Sequence, residues 1–91
     1  MATEILAAGT TDANSGDVTV VAGTPLTVAL KDAAGKFVAP GAHVEIQLKD
    51  DAGQYFWIDE LTSGDPAKVI IGPGTYRFVR RAGTSCGVFS G

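Results

Sequence analysis

The stretch Ala42-His43-Val44-Glu45-Ile46-Gln47-Leu48-Lys49, followed by Asp50-Asp51-Ala52-Gly53 and then Gln54-Tyr55-Phe56-Trp57-Ile58, decides the fold. Ala42, Val44, Ile46 and Leu48 alternate with His43, Glu45, Gln47 and Lys49. A period of two is the mark of a strand with one face in a core and the other turned outward. Asp50-Asp51-Ala52-Gly53 reads as a hairpin turn, in which the Asp side chain accepts from the backbone two residues on. Gly then supplies the positive φ of a type I turn closed by a G1 bulge. With Gly53 as the bulged position, Asp50 lies opposite Gln54, Leu48 opposite Phe56 and Ile46 opposite Ile58. Phe56 and Ile58 are then expected in the core, and Tyr55, Trp57 and Asp59 on the outer face beside Lys49, Gln47, Glu45 and His43. A slip of one residue would invert all of these assignments.

The same period extends outward from this hairpin. Leu26, Val28 and Leu30 alternate with Thr27, Ala29 and Lys31, and shorter strands are expected at Thr3–Ala8, Asp17–Ala22, Lys36–Ala39, Gln54–Leu61, Lys68–Ile71, Gly74–Arg80 and Cys86–Phe89. No window of about 11 residues fits a helical stripe better than a strand. Eight or nine short strands punctuated by Gly, Pro and Asp are more than one flat sheet holds in 91 residues. The expected fold is therefore all-β, a small antiparallel β-sandwich of immunoglobulin-like or jelly-roll-like form. Leu30-Lys31-Asp32-Ala33-Ala34-Gly35-Lys36-Phe37 is echoed 18 residues later by Leu48-Lys49-Asp50-Asp51-Ala52-Gly53-Gln54-Tyr55. The echo is too short for a solenoid and reads as one turn chemistry used twice. Residues 1–16 read as an N-terminal strand or arm with a flexible linker, Gly9–Gly16, ahead of a sandwich domain over 17–91. The apolar Ile5 and Leu6 in that arm can pair with their own sheet or with a neighbouring subunit.

Composition narrows the function. A chain of 91 residues makes one modest core, and its single cysteine, Cys86, cannot close an intramolecular disulfide. With 7 basic against 10 acidic residues the net charge is −3, which argues against nucleic acid as a partner. The basic cluster Arg77, Arg80 and Arg81 reads instead as a solvated strand edge or a donor set for ion pairs between subunits. No apolar run approaches the roughly 18–20 residues of a membrane helix. Met1-Ala2-Thr3-Glu4 lacks the basic and apolar regions of a secretory signal, so synthesis and retention inside a cell are expected.

Catalytic constellations are wanting. His43 is the sole imidazole, and the serines and Cys86 are scattered on other segments, so a nucleophile, base and orienting group are not brought together by any spacing. Asp50-Asp51 and Asp59-Glu60 are adjacent pairs whose members diverge on a strand or turn, unlike the converging carboxylates of a glycosidase. Gly72-Pro73-Gly74 precedes a strand, not the helix a phosphate loop requires. No enzyme activity, no metal and no cofactor are expected. The functional signal is the outward pair Tyr55 and Trp57 with His43 beside it: exposed aromatics on a sheet face mark a contact surface, unless a loop or the N-terminal segment covers them.

Val20-Val21-Ala22-Gly23-Thr24-Pro25-Leu26-Thr27-Val28 and Gly72-Pro73-Gly74-Thr75-Tyr76-Arg77-Phe78 resemble strands of immunoglobulin-like sandwiches, the second opened by a Gly-x-Tyr corner. The paired cysteines and core Trp of antibody domains are absent. Over most of its length the chain is similar to small β-rich virion proteins of tailed bacteriophages, through Thr3-Glu4-Ile5-Leu6, the Asp-x-Ala-Gly hairpin, Pro73-Gly74-Thr75-Tyr76-Arg77 and Gly87-Val88-Phe89. The resemblance implies a capsid decoration, or cement, protein on the virion surface, assembled in the host cytoplasm. Its expected partners are the major capsid protein and sister subunits in a homo-oligomer, as in a trimer. Tyr55, Trp57, His43, Ile5, Leu6, Arg77, Arg80 and Arg81 are the expected partner-binding residues. The alternatives are a carbohydrate-binding sandwich using Tyr55 and Trp57 as stacking platforms, and a tail or head–tail connector subunit.

Overall fold

Period-two patterning becomes strand pairing throughout the computed structural model, which describes residues 3–33 and 38–91. Nine strands form among these residues: β1 (Thr3–Gly9), β2 (Ala13–Asn14), β3 (Val18–Val20), β4 (Leu26–Lys31), β5 (His43–Lys49), β6 (Tyr55–Thr62), β7 (Ala67–Ile70), β8 (Gly74–Arg80) and β9 (Cys86–Ser90). They make two antiparallel sheets, one ordered β1-β9-β4-β7 and the other β2-β8-β5-β6 with β3 also on β8. The protein is a small all-β sandwich. The expected strand at Lys36–Ala39 and the tip of the first hairpin fall largely on residues 34–37, outside the described residues.

The core forms where the alternating apolar rows of the two sheets meet. Phe78, Ile46, Leu61, Val28, Val44, Val88 and Cys86 are fully enclosed there. Cys86, a free thiol, packs as one of them. Tyr76 belongs to the same inner row, and its hydroxyl donates to Gly72 O at 2.7 Å. That bond ties the Gly72-Pro73-Gly74 corner to the strand it opens.

Residues 3–16 are woven into both sheets. β1 lies against β9 and buries Leu6, with Ile5 packed on the rim of the core. β2, within the segment read as a linker, pairs with β8 through Ala13 and Asn14. Ser15 N donates to Phe78 O while Ser15 Oγ accepts from Phe78 N.

The β5–β6 hairpin contains both a confirmation and a correction. Gly53 has φ +83°, Gly53 N donates to Asp50 O, and Asp50 N donates to Gln54 O at 2.8 Å, so the G1 bulge is where the turn chemistry puts it. Asp50 Oδ1 also accepts from the amides of Ala52 and Gln54. Lys49 pairs with Tyr55, Leu48 with Phe56 and Gln47 with Trp57, as expected. Beyond them the register shifts, and Ile46 faces Asp59, not Ile58. A second bulge leaves Ile58 as the extra residue. Past it Leu61 drops into the core opposite Val44, and Glu60 takes the outer position beside Glu45 that Asp59 was expected to hold. Phe56 and Ile58, expected inside, are about half exposed, at 52% and 51%. The cause is position: β6 is the last strand of its sheet, with no neighbour beyond it among the described residues, and the bulge re-aims its middle.

β1 approaches β9 at Gly87 more closely than a side chain permits. A Cβ there would sit 2.4 Å from Leu6 O and 2.6 Å from Ala8 N, both backbone atoms. Gly87→Ala is therefore expected to wedge the strands apart and lower stability by about 1–3 kcal/mol, read as a fall in the thermal midpoint. Gly64→Ala, where a Cβ meets nothing within 4 Å, should change stability by less than about 0.5 kcal/mol.

Candidate functional site

On β5 the residues His43, Glu45, Gln47 and Lys49 point away from the core, and the neighbouring strands add Tyr55 and Trp57 from β6 and Arg77 from β8. Arg77 Nε donates to Gln47 Oε1 at 2.8 Å, and Gln47 Nε2 donates to Glu45 Oε1 at 3.1 Å. Arg81 Nε completes the row on Glu45 Oε2 at 3.1 Å. Glu45 and Gln47 are buried although they lie on the outer face, because the longer arginine side chains fold over them. Every buried side-chain polar atom among the described residues has a partner.

The row continues past Arg77 into an aromatic. The guanidinium carbon of Arg77 stands 3.6 Å from the centroid of the Tyr55 ring, a stacked cation–π contact. The Tyr55 hydroxyl donates to Asp17 Oδ1 at 2.6 Å, and Lys49 Nζ donates to Asp17 Oδ2 at 3.0 Å. Asp17, just ahead of β3, thereby joins two sheet elements that are 32 and 38 residues away in sequence. The bond from Tyr55, and then that from Lys49, hold the Asp17 carboxyl below its ordinary range. In return Asp17 raises the Tyr55 phenol and the Lys49 ammonium.

Trp57 stands apart from this network. It is 57% exposed and touches His43 edge-on, with ring centroids 5.9 Å apart, while His43 Nε2 lies 3.2 Å from Glu60 Oε2. With Phe56 before it and Ile58 after it, Trp57 forms an exposed apolar ridge along the edge strand, Phe56 on the Leu48 side and Trp57 on the Gln47 side. Below the ridge the strand is closed off. Asp59, placed by the bulge on the Ile46 side of the strand and half exposed, lies 3.6 Å from Lys68 Nζ on β7, the edge strand of the opposite sheet, and Lys68 also holds Asp65 at 2.6 Å. Charged side chains on a sheet edge discourage further strand pairing.

The expected partner-binding residues therefore separate. His43 and Trp57 meet; Tyr55 faces outward but is engaged by Arg77 and Asp17. Arg81 is 59% exposed while anchored on Glu45. Ile5 and Leu6 lie in the monomer's own sheet. Arg80 is buried and turned inward: its Nε donates to Thr11 O, and its Nη1 donates to Ala7 O and Cys86 O, all within 2.7–2.8 Å. It takes no part in any outer surface. Phe56 and Ile58 are the surface residues that sequence reading missed, and Asp17 the missed hub.

Two substitutions separate these roles. Asp17 has its carboxyl pKa lowered on folding, so its contribution is complete above the ordinary value near 3.8 and is lost as pH falls through the lower folded value. Tyr55 and Lys49 are raised on folding, so their contributions hold below their ordinary values and fade as pH rises through the folded ones. Asp17→Asn should therefore lower the thermal midpoint by a constant amount across neutral pH, with the gap to wild type closing as pH falls below the ordinary carboxyl value near 3.8. Arg80→Ala should destabilise by about 3 kcal/mol or more, since it strips a charged donor from three carbonyls, with no such closing in acid.

No protein-family model matches the chain, and neither a curated protein nor a solved structure matches it.

Proposed function

We propose that the protein is a non-enzymatic virion structural protein of the capsid decoration type, which binds the assembled head of a tailed bacteriophage and stabilises it. The observation that carries a binding role is the ridge Phe56-Trp57-Ile58, three consecutive large apolar side chains each about half exposed on an edge strand. Apolar side chains clustered in this way on a small domain mark an interaction surface, and a Trp is the residue type that most often anchors one. The virion assignment rests on the sequence resemblance. In this reading the shell is the partner of the ridge, and sister subunits associate elsewhere on the sandwich.

The carbohydrate-binding alternative draws on Trp57, which stands open beside His43 and Glu60. It loses its second platform, because Tyr55 carries Arg77 on its ring and spends its hydroxyl on Asp17. A tail or head–tail connector position would give ring symmetry instead of clusters at the axes of the shell. Removing residues 1–16 is a poor probe, since it strips β1 from its sheet and uncovers the core around Leu6. Surface substitutions are better.

Purified protein is expected to co-sediment with undecorated phage heads and to raise their resistance to heat. Trp57→Ala should weaken that binding about 30-fold, the effect of losing an anchor of about 2 kcal/mol, with the thermal midpoint of the free protein unchanged. A protein that ignores undecorated heads, or saturable quenching of Trp57 fluorescence by a sugar, would overturn the assignment.

A further inference from the structure

Charge is distributed very unevenly along this chain. The segment from His43 to Asp65, which is the β5–β6 hairpin with its turns, holds Glu45, Asp50, Asp51, Asp59, Glu60 and Asp65 against the single base Lys49, a net of −5. The whole chain is −3, so everything outside the hairpin sums to +2. The apolar ridge lies in the middle of this segment. Asp50 and Asp51 flank it at the tip of the hairpin, and Asp59 and Glu60 follow it on the strand.

From this arrangement we infer that the ridge docks a basic segment of another protein, with apolar side chains seated on Phe56-Trp57-Ile58 and Lys or Arg on the carboxylates at either end. This rests on the reading of the ridge as a contact surface and names the chemistry of what it contacts. A second copy of the chain is disfavoured: Arg81 on Glu45 and Lys68, shared by Asp59 and Asp65, bring the −5 of the hairpin only to −3 at its surface, and two such surfaces repel at contact distances comparable to the Debye length of about 8 Å. Nucleic acid is disfavoured by the same sign. The bulge at Ile58 breaks the regular edge of β6, and the Asp59–Lys68 pair blocks its lower half, so side chains and not an added strand carry the recognition. Opposite charge around an apolar centre accelerates encounter and fixes register, while the centre supplies the affinity.

The single tryptophan makes the test direct, because Trp57 is itself on the ridge. The probe is the synthetic peptide KRLVLRK, basic at both ends and apolar between, titrated into the full-length protein and followed by Trp57 emission. The expected result is a saturable blue shift whose apparent Kd weakens at least tenfold between 50 mM and 500 mM salt. KRSGSRK, of equal charge, and EELVLEE, of equal apolar content, should give none. Ile58→Ser and Asp51→Lys, both at exposed positions, should each weaken KRLVLRK at least tenfold with the thermal midpoint unchanged. Absence of a shift with KRLVLRK would overturn the inference, as would an equal response to KRSGSRK. Self-association of the protein alone that Ile58→Ser abolishes would also overturn it, in favour of a second copy. Peptide binding without binding to phage heads leaves this inference standing and removes the capsid assignment; head binding that Ile58→Ser and Asp51→Lys do not alter removes this inference alone.

Discussion

The guanidinium of Arg80 joins the two sheets of this sandwich. It projects from β8 on the same side as Phe78 and Tyr76, but where those side chains fill the core, Arg80 reaches through its end to carbonyls on β1 and β9 of the opposite sheet and to Thr11 in the segment between β1 and β2. A charge this well enclosed is costly unless each donor finds an acceptor. Three backbone carbonyls take the Nε and Nη1 donors, and in doing so they fix how the N-terminal strand lies. Gly9 is part of the fit, since a Cβ there would stand 2.9 Å from the Arg80 Nη2 atom. With no disulfide and a modest core, a chain of this size needs such ties. The N-terminal strand is one product of this one, integrated into its own sheet although its sequence looked detachable.

What the sequence made legible was periodicity and turn chemistry. The alternation in Ala42–Lys49, the Asp-x-Ala-Gly turn and the corner at Gly72–Gly74 gave the class of fold, eight of the nine described strands within a residue or two, and the pairing of the hairpin as far as Trp57; the two-residue β2 lay hidden in a segment that reads as a linker. The second bulge carried no glycine and no proline to announce it. Its trace lay in an odd count. From Leu48 to Val44 is four positions, but from Phe56 to Leu61 is five, so both apolar ends can share the inner row only if one residue of β6 is extra. Local propensity does not register such a mismatch, because it becomes visible only when two strands are laid against each other.

The polar side of the sheet was legible in composition but not in connectivity. His43, Glu45, Gln47 and Lys49 were readable as an outer row. That Glu45 and Gln47 would be enclosed, with Arg77 and Arg81 laid over them, depends on the lengths of side chains on a strand some 30 residues away. Arg77, Arg80 and Arg81 look alike in sequence, yet alternation sends the first and third outward and the second inward. The cluster that suggested one basic surface is thus split between a polar network and the interior. Asp17 was hidden for a related reason: its partners lie across the sheet, and a lone acid ahead of a short strand carries no local sign of them.

These features together explain how a small chain can keep an apolar ridge at its surface and stay folded. The network from Asp17 through Tyr55, Arg77, Gln47 and Glu45 to Arg81 braces the outer face of β5 and β6, so the strand that bears the ridge does not need the ridge for its own stability. Asp59 and Lys68 pair across the seam between the sheets just below it. What is left exposed is confined to Phe56, Trp57 and Ile58, flanked on both sides by carboxylates. Like charge on that flank opposes pairing of ridge with ridge, which three bare apolar side chains on an edge strand would otherwise invite. In the proposed docking of a basic segment the same flank favours a partner of opposite sign, so a single distribution of charge would serve both the free protein and the choice of its partner.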